Sequence, residues 1–158
     1  MSGIAVEKNT LKDQLGNVLE EARMVLPGIQ ALFGFQTVAV FNQAFSKLPW
    51  LAQVVHLVAL LSVVTAIALV MMPAAWHRIV EPHQVSRATV SLASRMICAA
   101  LLPLAIGLAL DIYVVLFAVT HSTAFALLMG IATATLLIGL WFAIPFLRRC
   151  FHHDGQDS

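Results

Sequence analysis

One carboxylate stands out in the amino-acid sequence: Asp111 lies inside the long apolar run 96–120, and no other predicted span contains an acid. On a lenient insertion scale, an ionised carboxylate at that depth costs about 2.5–3.5 kcal/mol. Asp111 is therefore expected to face protein or water, not lipid. At ~1.5 Å of rise per residue, it lies roughly 13–15 Å from the turn at His121. On the same rise His56 lies about 9 Å from Trp50, and Gln36 about 15 Å from Ser46. Gln43 follows Gln36 by seven residues and is placed on the same helix face, and Gln53 precedes His56 by three. These depths bring Asp111, His56, Gln36 and Gln43 toward one level of a helical bundle. Acid and imidazole exchange protons, and amide oxygens replace the water of a small cation. The competing reading is structural: buried amides and acids also link membrane helices and set their register.

A second cluster is expected at the opposite end. Glu20, Glu21 and Arg23 precede the first apolar run, His77 and Arg78 follow the second, and Arg95 opens the third. A pair such as Glu20 or Glu21 with Arg78 would tie helix ends together. Charges placed there also act as anchors and topology signals, which is the favoured reading over a cytoplasmic gate. Residues 151–158 are expected to form a disordered tail, and Cys150, His152, His153 and Asp154 at its start make a loosely spaced group to which no metal site is assigned. Cys98 reads as a small buried apolar residue. No phosphate loop, nucleophile–base pair or zinc-protease motif is present, so neither an enzyme nor a cofactor is expected.

The elements that position these residues follow from composition. Of 158 residues, 60% are hydrophobic and only 11% charged. A soluble domain is nearer a quarter charged. The nine Lys and Arg form no basic stripe and the net charge is +1, which sets nucleic-acid binding aside. The first 23 residues are polar and mixed in charge, unlike a cleavable signal peptide. Four runs have the ~20 apolar residues that a membrane helix needs: 24–45, 50–76, 96–120 and 123–147. The expected fold is an all-α integral membrane bundle of four transmembrane helices. The links 46–49 and 121–122 are short enough to make two antiparallel hairpins. Lys8, Lys12, Arg23, Arg78, Arg87, Arg95, Arg148 and Arg149 fall on one side and Lys47 alone on the other. This bias puts the N-terminal arm, the loop 77–95 and the C-terminus in the cytoplasm.

Within the arm, Thr10–Ala22 predicts a helix with Leu11, Leu15, Val18 and Ala22 on one face. It could lie along the membrane surface and lead into the first span. In the loop, Pro82 predicts a helix start. Arg23-Met24 and Arg95-Met96, Leu32 and Leu104, Phe45 and Phe117, and Pro73 and Pro145 share an offset of 72 residues, an echo of duplication.

The stretch Leu19-Glu20-Glu21-Ala22-Arg23-Met24-Val25-Leu26-Pro27-Gly28-Ile29-Gln30-Ala31-Leu32-Phe33-Gly34-Phe35 and the later Pro73-Ala74-Ala75-Trp76-His77-Arg78 resemble an uncharacterised family of small bacterial four-helix membrane proteins. The family is a domain of unknown function, and some members carry an automatic sodium:proton antiporter label. The resemblance covers residues 15–80 well and the rest by topology. It implies a bacterial inner-membrane location and carries over no site residues.

Together these features lead to a small cation or proton channel or transporter, with Asp111 as its key acid. Four helices enclose little volume, so a homo-oligomer is expected, with the helix bearing Phe33, Phe35 and Phe41 at a pore or subunit interface. Gly130 with Ala134, and Ala105 with Ala109 flanking Gly107, mark close helix contacts. The alternative is a non-transporting scaffold or accessory subunit that binds a partner through its cytoplasmic arms.

Overall fold

The computed structural model describes residues 2–80 and 85–146. The described chain is helical throughout: α1 (Ser2–Val40), a short α2 (Gln43–Ser46), α3 (Trp50–Val80), α4 (Arg87–Thr120) and α5 (Thr123–Ile138), which runs on into a π-helical turn at Gly139–Ala143. Three helices are long and apolar enough to cross a membrane: α3, α4 and α5 with its continuation to Phe146. The chain is thus a multi-pass membrane protein in outline. α1 is not among the three, because Gln30, Gln36 and Thr37 interrupt its apolar half.

Each long helix presents one buried stripe at heptad spacing. On α3 it is Ala52, His56, Ala59, Val63, Ala66, Val70 and Pro73. On α4 Ala93, Ala100, Gly107 and Val114 are buried seven residues apart, with Leu104 between them. On α1 the buried positions are Leu15, Ala22, Ile29 and Gln36. Steps of three and four keep a stripe on one side of a helix, so three such stripes can share one core. That core holds Ala22, Ile29, Val63, Ala66, Val70, Ala100 and Leu104, with Leu26, Phe33 and Trp141 packed against it. α4 is the central helix: it packs against α3 along its length, against α5 on another side, and against α1.

Small residues set the closest approaches. A Cβ on Gly107 would stand 2.9 Å from Val63 Cγ2 and 3.2 Å from the Ala59 carbonyl, so α3 and α4 meet there nearly backbone to backbone. A Cβ on Gly130 would stand 3.2 Å from the Ala109 carbonyl and 3.3 Å from Tyr113 Cβ, which joins α5 to α4. The intramembrane hydroxyls need no tertiary partner. Ser62, Thr65, Thr133 and Thr135 each donate to the carbonyl four residues earlier, at 2.8–2.9 Å.

Several expectations are corrected. The arm does not form a separate helix: residues 10–22 continue into the first apolar run as one 39-residue α1, with Pro27 inside it. At ~1.5 Å per residue it is roughly 58 Å long, far more than a hydrocarbon core of about 30 Å. The first apolar helix ends at Val40 instead of Phe45, because Phe41 and Asn42 close it with three-residue turns and Asn42 caps α2 through its side chain. The loop 77–95 is mostly helix: α3 runs to Val80, and α4 starts at Arg87 with Ser86 Oγ accepting from the Thr89 N–H at 3.1 Å. Pro82 lies outside the described residues. Cys98 is exposed, because the buried stripe of α4 passes through Ile97 and Ala100 and turns residue 98 outward.

The link from α4 to α5 turns on His121 in the left-handed conformation (φ 52°), after which Ser122 caps α5. The π-turn precedes Pro145, which has no N–H to offer Trp141. Ile144 N–H bonds instead to the Gly139 carbonyl, five residues back. The 72-residue echo is not matched by equivalent packing: α1 reaches both α3 and α4, whereas α5 rests on α4.

Gly107→Ala is expected to destabilise by about 1–3 kcal/mol through overpacking. Gly34→Ala, where an added Cβ meets nothing within 4 Å, should be neutral or stabilising. Thermal midpoints in mild detergent compare the two.

Candidate functional site

Three of the buried stripes carry a polar residue where the repeat calls for an apolar one: Gln36 on α1, His56 on α3 and Asp111 on α4. All three lie toward the end of the bundle that carries the α1–α3 turn, and their side chains meet. Gln36 Nε2 donates to Asp111 Oδ2. His56 Nε2 lies 3.0 Å from the backbone carbonyl of Gln36. His56 Nδ1 lies 3.5 Å from Asp111 Oδ1. Gln36 and His56 are 4% and 5% exposed, so both are withdrawn from bulk solvent. Gln36 thus joins both neighbouring helices, through its amide to α4 and its carbonyl to α3.

The donor and acceptor count fixes the chemistry. A backbone carbonyl can only accept, so His56 Nε2 carries a hydrogen. Nδ1 then faces a carboxyl oxygen, and two acceptors cannot share that contact favourably. At 3.5 Å the two groups are at ion-pair distance, and a proton on either one would turn the contact into an attraction. The His56–Asp111 pair is therefore able to hold one proton in an apolar interior. Gln36 Oε1 is buried and has no hydrogen-bond partner, which leaves one acceptor free beside the pair.

The turn covers this unit. The Phe45 ring stands edge-on to the His56 ring, with centroids 5.3 Å apart. Gln53 Nε2 donates to the Leu48 carbonyl at 2.9 Å and to the Phe45 carbonyl at 3.4 Å, fastening the turn to α3. A cavity of about 360 Å³ lies between α1, the turn and α4, and Gln36, His56 and Asp111 supply its polar wall.

Gln43 does not join the site. It is exposed at the start of α2, where its carbonyl accepts from Ser46 Oγ, because the break at Phe41–Asn42 ends the helical register that would have aligned it with Gln36. Phe45 and Asn42 also line the cavity, and neither is among the site residues expected from the sequence. Asn42, whose side chain accepts from the Ala44 N–H two residues later, is an N-cap signal that marks the start of α2 and so the break after α1.

At the other end, Glu20, Glu21, Arg23, Arg78 and Arg95 are exposed and His77 is half-buried. Among the described residues, no ion pair joins Glu20 or Glu21 to Arg78. The buried positions Ala22 and Pro73 turn their charged neighbours outward. The group at Cys150, His152, His153 and Asp154 lies outside the described residues. Among the described residues, no cluster of three or more His, Cys, Asp or Glu side chains could hold a metal.

Comparison with known proteins gives one result. The model of a family described as "Family of unknown function (DUF6328)" matches residues 6–145. No curated protein and no solved structure matches.

Gln36→Leu removes the amide donor to Asp111 and is expected to cost about 1–3 kcal/mol, with Gln43→Leu near zero. A double-mutant cycle with His56→Ala and Asp111→Asn should give a coupling of about 0.5–3 kcal/mol, read from unfolding in detergent.

Proposed function

The chain belongs to the DUF6328 family, whose function is unknown, and we propose that this member is a small channel or transporter for protons or small cations in the bacterial inner membrane. The observation that carries the reading is the meeting of Gln36, His56 and Asp111 in an otherwise apolar interior. A purely structural link would need one amide and one acceptor. This site adds a one-proton pair and a free buried acceptor, which a translocated proton or cation can use.

The topology proposed for it has four spans. The fourth is the apolar half of α1, 24–40, which packs its Ile29 and Gln36 onto α3 and α4 as a transmembrane helix would. The Lys and Arg bias puts both termini in the cytoplasm, the charged helix ends with them, and the α1–α3 turn outside. The His56–Asp111 pair then lies in the outer half of the membrane, under the turn. Toward the cytoplasm Ala59, Val63, Ala66 and Ala105 are 0% exposed, so one subunit offers no wide water path below the pair. A homo-oligomer supplies the rest of the path along a subunit boundary. Phe41, 84% exposed beyond the end of α1, suits that boundary.

A second reading has its own observation. At the charged end, Thr10, Gln14, Arg87 and Ser91 line a groove of mixed polarity between α1 and α4, together with Leu11 and Val90, which suits a scaffold that holds a partner there.

Purified protein in liposomes is expected to pass protons, sodium or potassium, and Asp111→Asn to reduce that flux at least tenfold or remove its pH dependence. No flux above empty liposomes, from protein shown to be folded and inserted, would favour the scaffold.

A further inference from the structure

The cavity beside the triad has a lining that selects among cations. Its walls are carbon: Leu32, Phe35, Phe45, Leu48 and Val115 among them. Its oxygen donors are few. Asp111 supplies a carboxyl, and Gln36 Oε1 is buried without a partner. The Gln36 carbonyl is already engaged by His56 Nε2, and Asn42 Oδ1 by the Ala44 N–H. An inorganic cation stripped of water needs a shell of several oxygens, as in carbonyl-lined filters. Two donor groups set in an apolar wall provide only part of one, so an inorganic cation passing here would keep some of its water.

We propose that this cavity binds a small apolar amine, held as its ammonium form; the proposal rests on reading the triad as a cation or proton site. An ammonium needs two or three acceptors; the Asp111 carboxyl lines the space, and Gln36 Oε1 lies buried beside it and comes within reach by a turn of the amide. It carries its own hydrocarbon body, which the walls accept. Aromatic faces favour a cation nearby, and Phe35 and Phe45 both line the space. The volume of about 360 Å³ falls at the lower end of ligand pockets, roughly 300–1,000 Å³. Phe35 and Val115 are 75% and 57% exposed, so the cavity opens on the outer surface of the bundle between α1 and α4. In a bilayer that mouth faces the hydrocarbon, where a neutral amine is concentrated.

The proton balance is complete without a further reactant. A neutral amine entering from lipid takes the proton held between His56 Nδ1 and Asp111 Oδ1. One N–H bond forms on the amine, and the N–H or O–H bond of the pair breaks. Neutral imidazole, carboxylate and ammonium remain; the ammonium replaces the lost proton as the donor beside Asp111 and Nδ1, and the charge of the occupied site equals that of the empty one. On release to lipid the proton returns to the pair.

The test is calorimetric titration of the full chain in lipid nanodiscs with benzylamine, with benzyl alcohol and sodium chloride as comparators and protein-free nanodiscs as the baseline. Saturable benzylamine binding is expected, at least tenfold weaker in Asp111→Asn, with no saturable binding of benzyl alcohol. Ala118→Leu, which fills the cavity and keeps the acid, should weaken benzylamine at least tenfold. Should that variant unfold, as judged by its thermal midpoint, Ala39→Leu on the facing wall replaces it. Equal benzylamine uptake by the natural sequence and both variants would be partition into lipid and would overturn the proposal. So would saturable sodium binding without benzylamine binding. Flux that depends on Asp111 but is untouched by benzylamine would overturn the amine site and leave ion transport standing. Specific benzylamine binding without ion flux would uphold the amine site and remove ion transport.

Discussion

A carboxyl group in the apolar middle of a helix bundle has to be surrounded before the bundle can close, and the arrangement around Asp111 follows from that need. Its two oxygens are met by groups from two other helices, the amide of Gln36 and the imidazole of His56. Gln36 in turn fixes the imidazole through its backbone carbonyl. Three helices are thus held in one register by three side chains. A shift of α1 by one turn would strand the acid, the amide and the ring together, and each stranded group would cost on the order of 1–3 kcal/mol. The same residues that could handle a proton therefore also align the helices that carry them.

The rest of the packing makes this possible by leaving little else polar inside. Along α3 the buried stripe is alanine, valine and proline apart from His56. Gly107 brings the α4 backbone against α3, and Gly130 brings α5 against α4. Serine and threonine hydroxyls are satisfied within their own helices. The polar demands of the interior are concentrated at one level, near the turn that Gln53 ties down. At that level α1 and α4 stand apart and leave a cavity; below it α3 and α4 close on Ala59, Val63, Ala66 and Ala105.

Much of this was legible in the residues. Depth along each apolar run placed Asp111, His56 and Gln36 at one level, because helix rise is constant and short links fix where each run begins. The membrane character followed from composition. What stayed hidden depended on helix ends. Gln43 was aligned with Gln36 on the assumption of an unbroken helix, and Asn42, whose side chain caps α2, ends that register. Residues 77–95 read as a loop because they are polar, yet α3 and α4 run on past their apolar segments, since a helix outside the bilayer can be solvated or packed on its neighbours. In that extension Leu15, Thr89 and Ala93 are all buried. The exposure of Cys98 and of the rim charges depended on which stripe is buried, and that is settled by tertiary packing.

The most direct test of the account is the protonation pattern of His56. Solid-state NMR of nitrogen-15-labelled histidine in bilayers, assigned by comparison with His56→Gln, reads each ring nitrogen separately. The account predicts a protonated Nε2 bonded to a carbonyl, and an Nδ1 signal that shows a shared proton and changes in Asp111→Asn. A His56 with its only proton on Nδ1 and a free Nε2, or a ring signal indifferent to Asp111→Asn, would contradict it.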